Sequence, residues 1–78
     1  MPTVLRIKGY KFKIYSNEND EAPHVHIAKA GGNAKYWLVP EIAEEYSYGF
    51  TVRERRDIKI LIRFNHALLL KAWYENFE

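Results

Sequence analysis

His24-Val25-His26 is the pair of residues whose type and spacing best suit chemistry. In an extended strand, side chains two apart project from one face, so both imidazoles share a surface. Histidine titrates near neutral pH and can give or take a proton. Three roles follow. In the first, the pair acts as base and acid in metal-free RNA cleavage, one ring taking the 2′-hydroxyl proton and the other protonating the leaving oxygen. In the second, both rings hold one ion, with Glu18, Asp20 or Glu21 of the preceding acidic loop completing the shell. Two histidines are only part of a ligand set, and no resident metal is expected. In the third, the rings are structural, packing on Trp37 and bonding to the acidic loop.

The residues around the pair extend the first role. Residues 1–40 carry six Lys/Arg against three acids, whereas residues 41–78 carry six against seven. Arg6, Lys11, Lys13 and Lys35 are suited to phosphates, and Tyr15 and Trp37 to stacking on bases. The same residues equally suit a solvated sheet face, because Lys and Arg blunt exposed strands. The two rings also suit burial against a second copy of the chain, a homo-oligomer.

These side chains must be positioned by strands. Thr3 to Ile7 is β-branched and alternating, Lys8-Gly9 reads as a two-residue turn, and Tyr10 to Tyr15 alternates apolar residues with lysine. After the polar loop Ser16 to Pro23, His24 to Ile27 alternates again. Gly31-Gly32 reads as the second hairpin turn, and Ala34 to Val39 as the fourth strand, ended by Pro40. The first turn sets Ile7 opposite Tyr10, Arg6 opposite Lys11, Leu5 opposite Phe12 and Val4 opposite Lys13. The second sets Ala28 opposite Lys35, Ile27 opposite Tyr36, His26 opposite Trp37 and Val25 opposite Leu38. The inner face is then Leu5, Ile7, Tyr10, Phe12, Ile14, Val25, Ile27, Tyr36 and Leu38. The outer face is Arg6, Lys11, Lys13, Tyr15, His24, His26, Lys35 and Trp37.

The rest of the chain covers the inner face. Residues 41–50 are a connector that fits either a helical turn or a further short strand. Thr51-Val52-Arg53-Glu54 is a capping box, so a helix starts there, with Ile58, Leu61 and Ile62 on one side. Asn65 reads as a break and a new N-cap, and Leu69, Leu70, Trp73 and Phe77 share the next helix's apolar face. Leu68 to Leu70 exceed one stripe, so one of them is expected to meet a partner. The arginines of the first helix read as a solvated face or as a second basic surface, and His66 reads as exposed. The expected fold is α+β: a four-stranded antiparallel sheet of two hairpins, then two C-terminal helices packed on one face. It forms a single domain over 1–78, with the sheet in 1–40, the connector in 41–50 and the helical pair in 51–78.

Composition limits the alternatives. The 78 residues contain no cysteine, which removes disulfides and thiolate zinc sites, and the 47% apolar content supports a core. The N-terminus lacks signal-peptide character and no run is long enough for a membrane span, so the cytoplasm is expected. No Gly-rich phosphate loop, Ser/His/Asp motif or zinc signature occurs, and no cofactor is expected.

Several stretches carry a family likeness: Met1-Pro2-Thr3-Val4-Leu5-Arg6-Ile7, Tyr15-Ser16-Asn17-Glu18, Pro23-His24-Val25-His26 and Ala34-Lys35-Tyr36-Trp37-Leu38. Glu54, Ile58, Leu69-Leu70, Ala72-Trp73 and Phe77 continue it. On these pieces the chain resembles the bacterial domain-of-unknown-function family numbered four-one-six-zero over nearly its whole length. It departs at Arg55 and Lys59, where leucines are expected. The resemblance implies a protein often encoded beside a small partner, in an arrangement that looks like a toxin–antitoxin pair. The expected function is a toxin-like protein that acts on RNA through the basic, histidine-bearing face, with His24 and His26 as catalytic residues. The alternative is a non-catalytic binding or regulatory module that pairs with a small protein, with or without nucleic acid. These residues fit either an enzyme or a non-catalytic binder.

Overall fold

The computed structural model describes residues 3–15 and 20–76. Five strands pair in chain order, all antiparallel: β1 (Thr3–Ile7), β2 (Tyr10–Lys13), β3 (His24–Lys29), β4 (Gly32–Trp37) and β5 (Ala43–Tyr48). Two helices follow, α1 (Val52–Phe64) and α2 (His66–Asn76). The α+β class holds, and the expected four strands are corrected to five. The difference lies in the connector. Glu41-Ile42-Ala43-Glu44-Glu45 contains helix formers, but so short a run gains little from helix formation. The open edge of β4 offers backbone partners instead. β5 takes that edge, with Asn33 opposite Tyr48 and Lys35 opposite Tyr46, then a bulge that leaves out Glu45 before Tyr36 meets Glu44.

Both hairpins form, each with one adjustment. Lys8 and Gly9 take positive φ values of 52° and 85°, and Ile7, Arg6 and Leu5 oppose Tyr10, Lys11 and Phe12 as expected. A bulge then puts Thr3, not Val4, opposite Lys13. The extra residue Val4 packs against the core instead of the outer face. In the second hairpin, Lys29 pairs with Gly32, so the turn is Ala30-Gly31 rather than Gly31-Gly32. His26 therefore opposes Lys35, and His24 opposes Trp37. Moving the turn back by one residue shifts each partner by two, and a shift of two keeps every side chain on its expected face. The cause is Phe50: a Cβ on Gly32 would run into its ring, so this glycine is needed in the strand. Ala30 supplies the left-handed turn residue in its place, at φ 50°.

The core joins Tyr10, Phe12, Val25, Ile27, Ala34, Tyr36 and Leu38 from the sheet to Ile58, Ile62 and Leu69 from the helices. Ile14 is also fully buried, and Leu5, Ile42, Phe50, Leu61 and Leu70 pack around this centre. The capping box forms: Thr51 Oγ1 accepts from Glu54 N, and Glu54 Oε1 accepts from Thr51 N. Asn65 ends α1, and its carbonyl accepts the first bond of α2 from Leu69 N. Its side chain does not turn forward as a new cap, however, but donates back to Leu61 O. His66, expected to be exposed, is half-buried and donates from Nε2 to Leu38 O at 2.7 Å, which ties α2 to the end of β4. Among the described residues, no helix is long and apolar enough to cross a membrane.

Candidate functional site

The histidine pair is on the expected face but is covered. His24 has no exposed surface and His26 keeps 9%. Their rings belong to a chain of near-perpendicular contacts: Tyr15 to His26 at 4.5 Å, His26 to His24 at 5.2 Å and His24 to Trp37 at 5.4 Å. Trp73 of α2 adds a tilted contact to His24 at 4.9 Å. Such edge-to-face packing suits the ring quadrupoles. His24 Nδ1 lies 2.9 Å from Ala22 O. A carbonyl only accepts, so Nδ1 carries the proton and donates it. Glu21 Oε1 stands 4.0 Å from the same nitrogen. This geometry matches the structural role in most detail. For the metal role, the described residues contain no group of three or more His, Asp or Glu side chains placed to hold a metal ion, and Glu18 lies outside them, as does Phe77 of the expected helix face.

The cations divide into two groups. Lys35 Nζ meets Glu21 Oε1 at 2.6 Å and lies over the Trp37 ring at 4.6 Å, while Trp37 Nε1 donates to Glu45 Oε1 at 2.8 Å. This half of the expected face is held by the protein's own carboxylates. Arg6 and Lys11 form the other half: they are exposed, directly opposed across β1 and β2, and followed by half-buried Lys13 beside His26. Among the described residues, no carboxylate pairs with Arg6, Lys11 or Lys13. Lys11 and Lys13 line a hollow of about 130 Å³ with Gly9, Ala28, Lys29 and Ala30. Lys29 was not expected here. It borders the hollow from the end of β3, on the side of Val25 and Ile27, and its Nζ lies 4.4 Å over the ring of the inner-face Tyr10.

Next to Trp37 lies an apolar hollow of about 410 Å³, lined by Ala22, Val39, Pro40, Glu41 and Ala43 as well. It depends on β5, and the sequence reading did not locate it.

On the inner side of β5, Glu44 organises a second polar group. Its Oε1 accepts from Tyr36 Oη at 2.9 Å and Arg55 Nε at 2.8 Å, and its Oε2 accepts from Arg55 Nη2 at 2.8 Å. The Arg55 hydrogen bonds hold the Glu44 carboxyl below its usual range. Burial, then the carboxylate beside it, pushes the Tyr36 hydroxyl well above the usual phenol range. Arg55 thus stands in place of an expected leucine because a carboxylate from the fifth strand receives it.

A family model described as Domain of unknown function (DUF4160) matches residues 9–74. No curated protein and no solved structure matches the chain.

Proposed function

The chain belongs to the DUF4160 family, and from that premise we propose that it is an RNA-binding protein, the toxin-like member of a bacterial two-protein pair. It holds single-stranded RNA on the β1–β2 side of the outer sheet face. The observation that carries this reading is the direct opposition of Arg6 and Lys11, with Lys13 next to them and no carboxylate among the described residues to neutralise the three. Like charges opposed across strands cost stability, and phosphates relieve that cost while releasing counterions. Tyr15 and Trp37 border the same face, and the apolar hollow beside Trp37 offers an unpaired base an aromatic wall.

In this reading the histidines shape the face rather than cut RNA, because His24 has no surface to offer a substrate. The small partner protein opposes the activity by covering this face, and the pair works in the cytoplasm. Fluorescence anisotropy with a labelled single-stranded RNA tests the proposal. The paired change Lys11→Gln and Lys13→Gln is expected to weaken binding roughly tenfold at moderate salt. Failure of the unaltered protein to bind at low salt would end the reading. Incubation with bulk RNA separates binding from chemistry: cleavage that disappears in His26→Ala would restore the catalytic role. Expression should slow growth, and co-expression of the neighbouring gene should restore it.

A further inference from the structure

A second site lies away from the outer sheet face, between β5 and α1. It is an open hollow of about 380 Å³ lined by Tyr36, Glu44, Val52, Arg55, Arg56 and Lys59. Glu44 holds Arg55 through Nε and Nη2, and that bidentate grip fixes the plane of the guanidinium. A guanidinium has five N–H donors, and those on Nη1 are not among the atoms that Glu44 engages. Arg56 and Lys59 are exposed on the same wall, and among the described residues neither has an ion pair. Three cations and one carboxylate leave this small hollow with two surplus positive charges. Its one carboxylate is already engaged, with both oxygens accepting from Arg55 and one also from Tyr36.

We propose that this hollow binds a phosphate monoester in its dianionic form. The surplus charge matches a dianion better than a single carboxylate. A fixed guanidinium edge suits a tetrahedral oxyanion, and Val52 gives the esterified group an apolar contact. The site is separate from the RNA face and does not depend on it.

The test is an amide-resolved NMR titration of the whole chain with inorganic phosphate, adenosine 5′-monophosphate, adenosine and dimethyl phosphate. Inorganic phosphate and the nucleotide should give saturable shifts at Glu44 and Arg55 to Lys59, whereas adenosine and the diester should not. Tighter binding by the nucleotide than by inorganic phosphate would identify an esterified ligand, and equal binding the free ion. Affinity should rise between about pH 5.5 and 7.5, as a phosphate monoester loses its second proton near pH 6. Arg56→Gln with Lys59→Gln, both at exposed positions, should weaken binding roughly tenfold or more. Lys11→Gln with Lys13→Gln should leave it unchanged. Equal response to the diester, shifts centred on Lys11 and Lys13, or indifference to the Arg56 and Lys59 changes would overturn the proposal.

Discussion

His24 contributes through its ring edges and one N–H. It touches His26, Trp37 and Trp73 and donates from Nδ1 to Ala22 O, all without exposed surface. His24→Ala removes those contacts and leaves a gap, so it should cost about 2–3 kcal/mol in urea unfolding. RNA affinity of the folded variant should stay the same. Lost affinity at unchanged stability would instead mean that the ring meets the ligand. Lys11 should behave in the opposite way. Lys11→Thr relieves its opposition to Arg6 and favours the strand, so unfolding should become harder by about 0.2–1 kcal/mol while RNA binding weakens.

At the scale of elements, β5 connects the sheet to α1, and Glu44 is its anchor. The folded-state pKa of Glu44 is depressed, so its contribution to stability is present above its unfolded value of 4.5 and fades as pH falls through the lower folded value. Melting temperature measured against pH should therefore drop on the acid side, and Glu44→Gln should flatten that drop. The second turn offers another check. Ala30 sits at φ 50°, a conformation that costs an L-residue but not glycine. Ala30→Gly should stabilise the protein by about 0.5–1 kcal/mol in chemical unfolding. Much of this layer was legible in the sequence. Strict alternation fixed the faces of β2 to β4, and the capping box fixed the start of α1. The pairing of β3 with β4 was off by two because Gly31-Gly32 looks like the better turn, and only Phe50, distant in sequence, explains why Gly32 belongs in the strand. The fifth strand stayed ambiguous because two adjacent glutamates carry no strand signal until a partner edge and Arg55 are in place.

Over the whole molecule, the candidate site was legible in type but not in exposure. Alternation put the cations, rings and histidines on one face correctly. Trp73 and the carboxylates Glu21 and Glu45 then cover or neutralise half of it, and these come from a helix, a loop and a bulge that local pattern cannot assign. The leucine run also resolves at this scale: Leu69 is buried, Leu70 packs on the core and Leu68 stays 46% exposed, near in sequence to Phe64 at 83%. A formal net charge of +2 is too small to attract nucleic acid by itself, so the proposed RNA binding rests on the local group Arg6, Lys11 and Lys13. The salt dependence of single-stranded RNA binding tests that claim most directly. Affinity should fall linearly on a log–log plot, and the slope should shrink by about 0.7 for each phosphate contact removed by Lys11→Gln or Lys13→Gln. A slope that neither change alters, or no measurable binding at low salt, would contradict the account.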